Sequence, residues 1–175
     1  MGTLILDLMN ILITGKPGIG KTTLIHTLIE GCRTATGFYT REIREKKERV
    51  GFAIQTLHGE TGILAHVDIQ TPYHVSRYGV NISDIETICV PSMDLTGDPI
   101  VIDEIGKMEL FSPAFREQVV KALDTRKVLA TIMERPHPFA DAIKRRGDSK
   151  LYVVTEKNRR NLGEELKAHL CRGRP

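Results

Sequence analysis

The chain has 175 residues, 27% of them charged and 41% hydrophobic, as in an ordinary soluble globular protein. These proportions exclude long disorder, a collagen repeat and a coiled coil, and the length suits a single domain over residues 1–175. With 25 Lys and Arg against 22 Asp and Glu, the net charge of +3 is too dilute for a dedicated nucleic-acid binder.

The N-terminal run Met1–Thr14 is apolar but interrupted by Asp7 and Asn10. It falls short of the roughly 18 residues needed to span a bilayer, and no Lys or Arg precedes it as a signal peptide requires. Asn10–Thr14 reads as a buried strand entering a glycine-rich turn at Gly15–Gly20. Lys21–Glu30 follows as a helix with Leu24, Ile25 and Leu28 on one face and Gly31 as its stop.

Between Gly37 and Gln70 the pattern changes to strands. One begins at Phe38-Tyr39-Thr40, a second covers Val50–Leu57, and a third covers Ile63–Gln70 with Ile63, Ala65, Val67 and Ile69 on one face. The charged run Arg44–Arg49 and the segment His58–Gly62 supply the turns, so these strands are expected to pair antiparallel. From residue 99 strands and helices alternate again. Pro99–Asp103 is a short buried strand, and Ser112 caps a helix with Pro113 at its first position. Phe115, Val119, Ala122 and Leu123 form that helix's buried face. Lys127–Ile132 is a strand, Ala140–Arg146 a short basic helix, Leu151–Val154 the last strand, and Asn158–Cys171 a helix with Leu162, Leu166 and Leu170 four apart. The whole is an α/β fold, with a mainly parallel sheet flanked by helices and an antiparallel, hairpin-rich edge.

Two motifs bear chemistry. Gly15-Lys16-Pro17-Gly18-Ile19-Gly20-Lys21-Thr22 satisfies the P-loop pattern GxxxxGK[ST] in full. Its glycines let several N–H groups converge on an anion, and the following helix adds its positive end. Lys21 is expected to reach the β- and γ-phosphates and Thr22 to hold Mg²⁺. The second motif is Ile100-Val101-Ile102-Asp103-Glu104. Three apolar residues bury the strand, so Asp103 emerges at its carboxyl end, where such sheets place their ligands. Asp103 is the expected carboxylate of the Mg²⁺ site, and Glu104 is placed to polarise a water for attack on the terminal phosphate.

With these motifs the sequence resembles the small P-loop nucleoside-triphosphatases first described from thermophiles. GFYTREIR at Gly37–Arg44, followed by Arg49-Val50-Gly51-Phe52, looks like one family motif, and DEIGKMEL at Asp103–Leu110 is similar to the family's extended acidic motif. Tyr78–Asn81, Arg135–Pro138 and Thr155–Arg159 match weaker landmarks in the same order. The resemblance implies a RecA-like fold and Mg²⁺-dependent hydrolysis of ATP, GTP, CTP and UTP with little base preference. Carried onto this chain, the nucleotide-binding set is Gly15, Lys16, Pro17, Gly18, Ile19, Gly20, Lys21, Thr22 and Thr23, with Ile102, Asp103, Glu104, Ile105, Gly106 and Lys107. Thr22 and Asp103 are the metal set, and Lys21, Glu104 and Arg41 the catalytic set. Lys16 stands where the family commonly has proline, and Ser76 where it often has glycine. Residues 1–9 extend past the usual start.

Arg41 is the first candidate for the transition-state cation because it follows a strand inside a family motif; Arg44, Arg49, Arg135, Arg145 and Arg146 are the others. Cys32, Cys89 and Cys171 form no CxxC pair, which points to a reducing, cytoplasmic setting without a membrane. Two alternatives to hydrolysis stand: a nucleotide or small-molecule kinase with Gly37–Gln70 as its lid, and a nucleic-acid-stimulated ATPase. No sequence feature supports a nucleic-acid partner as specifically as DEIGKMEL supports hydrolysis.

Overall fold

A computed structural model describes residues 9–171. Residues 1–8 of the unassigned N-terminal extension and the side chain of Cys171 lie outside the description. The strands are β1 (Asn10–Thr14), β2 (Thr36–Glu45), β3 (Glu48–Thr56), β4 (Thr61–His66), β5 (His74–Val75), β6 (Tyr78–Val80), β7 (Ile100–Ile105), β8 (Val128–Ile132) and β9 (Ser149–Val153). The helices are α1 (Lys21–Ile29), α2 (Ile82–Asp84), α3 (Val90–Ser92), α4 (Pro113–Asp124), α5 (Pro138–Lys144) and α6 (Arg159–Cys171), with a π-helical turn at Ile85–Cys89 between α2 and α3. No helix among the described residues is long and apolar enough to cross a membrane.

All nine strands join one sheet in the order β5-β6-β4-β3-β2-β7-β8-β1-β9. Strands β2, β7, β8, β1 and β9 run parallel, while β3, β4, β6 and β5 extend the sheet antiparallel from β2. The central parallel strands β1 and β8 are buried on both faces, which is why they read as mainly apolar runs. Alternation along β1 divides the core. Ile11 and Ile13 pack with Leu24, Ile25 and Leu28 of α1 and Leu162 and Leu166 of α6. Leu12 points the other way, toward Phe115, Val119, Ala122 and Leu123 of α4 and the π-turn residues Ile85, Ile88 and Cys89. Helix α4 starts as expected, with the Ser112 hydroxyl accepting from the Phe115 N–H at 3.1 Å and Pro113 at the first helical position.

Several boundaries differ from the sequence expectations: β7 runs on to Ile105, past Asp103, and α5 starts at Pro138 and ends at Lys144. Strands β2 and β3 extend to Glu45 and restart at Glu48, so only Lys46 and Lys47 turn the chain, at φ of 44° and 73°. Both residues of such a two-residue hairpin need positive φ, a demand no glycine here announces. Strand β4 ends at His66, leaving Val67 and Ile69 beyond it, and its buried residues are the adjacent Leu64 and Ala65. Ser76 keeps a left-handed backbone (φ 55°) in the turn between β5 and β6, the conformation glycine would favour.

Glycine is required at Gly37 in GFYT. At φ 107° it pairs with Val101 in the parallel β2–β7 ladder, and a Cβ there would strike the Val101 carbonyl. The close approach sets the β2 backbone against the acidic strand.

Candidate active site

The P-loop occupies the carboxyl end of β1, and β7, which ends in the acidic pair, lies two strands away with β8 between. Loops leaving the carboxyl ends of these parallel strands therefore converge on one cleft. Buried Thr14 ties the base of the P-loop to β8 by donating from Oγ1 to the Ile132 carbonyl at 2.9 Å. Gly15 (φ 148°) runs so close to the chain leaving β9 that a Cβ would sit 2.7 Å from the Val154 carbonyl. Gly20 then adopts a left-handed conformation (φ 100°) immediately before α1. The Lys21 ammonium folds back over the loop, donating to the carbonyls of Gly15 at 2.8 Å and Lys16 at 3.1 Å. It is thereby held over the concave face of the loop that would cradle phosphate.

Asp103 is 2% exposed. Its Oδ1 accepts a hydrogen bond from the Thr131 hydroxyl of β8, whereas Oδ2 is buried with no hydrogen-bond partner. Burial raises its pKa above the ordinary carboxylate range, opposed by the hydroxyls of Thr131 and Thr22 and, more weakly, by His26 and Lys21. A buried, unpaired carboxylate oxygen beside a P-loop threonine is costly without a cation. The two oxygen donors fit Mg²⁺, a hard ion that takes one or two protein oxygens and completes its shell with phosphates and water.

Glu104 follows Asp103 across a cis peptide bond and lines the cleft with Gly15, Pro17 and Lys21. Burial raises its pKa; the Lys21 charge counters this and the Asp103 charge adds to it. A third carboxyl, Glu109, lies in the short 3₁₀ turn Glu109–Phe111 and is 3% exposed. Burial, reinforced by the Glu104 charge, drives its pKa well above the usual range. Glu104 and Glu109 face each other across Gly106, where a Cβ would lie 2.8 Å from Glu104 Oε1 and 2.9 Å from Glu109 Oε2.

The cleft has a volume of about 550 Å³. Of the residues expected at the site, Gly15, Pro17, Lys21, Glu104, Gly106 and Lys107 line it. Ile102 and Ile105 are fully buried in β7 and serve the core that fixes the acidic pair. Arg41 is exposed on β2, opposite Ala53, and is not among the lining residues. Arg49 and Arg135 are. Arg49 is fixed by Glu42 at 2.7 Å and the Tyr78 hydroxyl at 3.1 Å, while Arg135, in the loop after β8, makes no ion pair or hydrogen bond among the described residues. Arg44 pairs with Glu42, and Arg146 with Asp124 and Asp148. Sequence reasoning did not single out Glu109, Met108, Met133 or Glu134 as lining; only the last acid of DEIGKMEL offered a signal.

Comparison with known proteins places the chain in a family. The NTPase family matches residues 10–167. The nucleoside-triphosphatase THEP1 of Thermotoga maritima is 50% identical over 162 residues, which span 90% of this chain and 93% of the relative. The crystal structure of THEP1 from Aquifex aeolicus superposes with a TM-score of 0.84 at 36% identity, covering 93% of this chain and 99% of that one. The solution structure of a human cancer-related nucleoside triphosphatase gives 0.79 at 32% identity over 95% and 100%. A family model that matches residues 10–167 and a relative half identical over 90% of the chain leave one assignment: the chain belongs to the NTPase family.

Proposed function

We propose that the protein hydrolyses nucleoside 5′-triphosphates to diphosphate and phosphate with Mg²⁺, using Glu104 to activate water. The supporting observation is the placement of Glu104 in the same cleft as Lys21, one residue beyond a carboxylate whose buried Oδ2 lacks a partner. Relatives named nucleoside-triphosphatases support the substrate class.

The backbone N–H groups of the P-loop bind the phosphates, and Lys21 leaves its loop carbonyls to pair with the β- and γ-oxygens. Thr22 and Asp103 would hold Mg²⁺, which supplies charge neutralisation of the phosphate oxygens. Glu104 takes a proton from water as the water oxygen bonds to the γ-phosphorus. The bond from that phosphorus to the β,γ-bridging oxygen breaks, and the electron pair leaves with the diphosphate. Thr131 keeps Asp103 in place through Oδ1. Arg41 stands outside the cleft, so the cation facing the developing charge is Arg135, which lines the cleft with its guanidinium uncommitted. A P-loop recognises phosphate, so tolerance of ATP, GTP, CTP and UTP follows where no base-reading contacts exist.

The test is product analysis on all four triphosphates with Mg²⁺, comparing wild type with Glu104→Ala. Diphosphate and free phosphate are expected from each. The variant should bind nucleotide while kcat falls about 10²–10⁴-fold, the usual worth of a positioned base. Release of phosphate only when an organic acceptor or polynucleotide is added would overturn the assignment in favour of a kinase or a coupled ATPase.

A further inference from the structure

Past Glu104 the cleft becomes apolar. Its walls there are Phe52 of β3, Leu64 of β4, Val75 of β5, and Met108 and Met133 from the loops after β7 and β8. Hydrolysis uses none of them. A phosphate needs N–H groups and cations, and a water has a share of only about 30 Å³ of liquid volume. Phe52, Val75, Met108 and Met133 pack against the core yet stay only half-buried, so the fold leaves apolar surface facing this space. The cleft's volume and its mix of apolar walls with a few polar groups are those of a small-molecule site.

The nucleoside does not account for this surface. On the reading of the phosphate site above, on which this step rests, the terminal phosphate lies at Glu104. The sheet order puts β3, β4 and β5 on the side of β7 away from the P-loop strand. A triphosphate with its terminal phosphate at β7 has its nucleoside on the opposite side. The apolar walls thus abut the terminal phosphate and not the base.

A fixed cation stands among them. The Arg49 guanidinium lies over the Phe52 ring at 5.1 Å and is braced by Glu42 and Tyr78. Glu42 is also shared with Arg44 at 2.6 Å, so one carboxylate serves two guanidiniums and a positive charge remains uncompensated. An anion held against an aromatic ring is the complement of that arrangement. The two methionines let the wall adapt to the shape of a bound body.

We propose that this end of the cleft binds a second small organic molecule, with an aromatic or branched apolar body and an anionic group directed at Arg49, while nucleotide occupies the P-loop. Such a ligand would displace water beside the terminal phosphate, where lower polarity strengthens the charges around the reacting centre.

The probe is 1-anilinonaphthalene-8-sulfonate, an aromatic anion whose fluorescence rises on transfer to an apolar site. Wild type should bind it saturably. Val75→Asp and Met133→Asp, shown folded by circular dichroism, should weaken binding at least tenfold, whereas Leu151→Asp on the far edge strand should leave it unchanged. In wild type, which needs no variant to fold, saturating ADP should leave the probe's Kd within about threefold, with ADP occupancy followed by calorimetry in the same samples. Competitive displacement by ADP would overturn the proposal, because the apolar walls would then hold the nucleoside. Unaltered probe binding in both aspartate variants would also overturn it. ADP that fails to bind at all would overturn the phosphate-site reading instead, and the two variants would still decide the apolar subsite.

Discussion

The two halves of the sheet place function in different ways. In the parallel half, β1, β7 and β8 are buried along nearly their whole length, and chemistry sits toward their carboxyl ends, at Gly15, in the last residues of β7 from Asp103, and in the loop bearing Arg135. In the antiparallel half the strands face the cleft with their sides, and Phe52 and Leu64 line it from strand interiors. A buried strand has no free face, so its end is its only reactive position. A half-buried strand offers every second residue. Phosphate handling thus belongs to loops over a rigid core, and apolar recognition to an exposed sheet surface.

That contrast predicts unequal tolerance of the same change in the two halves. Phe38, fully buried on β2, meets Phe115 of α4 edge-on at 6.0 Å. Phe38→Ala should cost about 3–5 kcal/mol by lost transfer energy and a cavity between layers. Phe52 is half-buried and packs on Tyr78 at 5.3 Å and beneath Arg49. Phe52→Ala should cost only about 1–2 kcal/mol, because water reaches the vacated space. Chemical denaturation of both variants measures the difference; equal costs would break the division between buried and open halves.

The arginines sharpen the same comparison. Arg135 enters from a loop over the parallel half, and Arg41 projects from a strand beside the antiparallel half. Arg135→Ala should lower kcat about 10²-fold with KM little changed, since the interaction matters most when charge develops on the transferring phosphoryl group. Arg41→Ala should alter kcat by less than about twofold. Steady-state kinetics on ATP decides, and the reverse ranking would restore Arg41 to the site.

The parallel half was the more legible in sequence. Its central strands β1, β7 and β8 are mainly apolar runs, its loop follows a pattern dictated by phosphate geometry, and Ser112-Pro113 marks the start of α4 through a local hydrogen bond. The antiparallel half shows only alternation, which locates a strand without saying what its faces meet. Hence the alternation from Ile63 to Ile69 runs the expected strand on to Gln70, past the observed end at His66, and carries no sign of the face bearing Leu64. Motif membership favours Arg41 over Arg135, but which arginine lines the cleft depends on the order of strands across the sheet, a long-range property no local pattern encodes. Glu109 is instructive for another reason. Nothing in its sequence position reveals that the 3₁₀ turn after β7 buries it against Glu104.

That buried acid yields the smallest effect and one with a definite sign. Burial, with the Glu104 charge second, raises the Glu109 pKa in the folded protein far above the ordinary value of 4.5. A group whose folded pKa exceeds its unfolded one binds its proton more tightly when folded. Its contribution to stability is whole below the unfolded pKa and is lost as pH rises toward the folded pKa. Glu109→Gln retains the size of the side chain and cannot ionise, so it escapes that loss. The variant should melt with wild type near pH 4 and above it at pH 8, by about 2–4 °C for each kcal/mol regained in a domain of this length. Thermal melts across that range measure it. A gap that stays constant with pH would mean that Glu109 acts through packing alone, and one that widens toward acid would mean that an unrecognised cation holds it ionised. The pH-dependent gap, if found, identifies the carboxyl facing Glu104 across Gly106 as neutral at physiological pH.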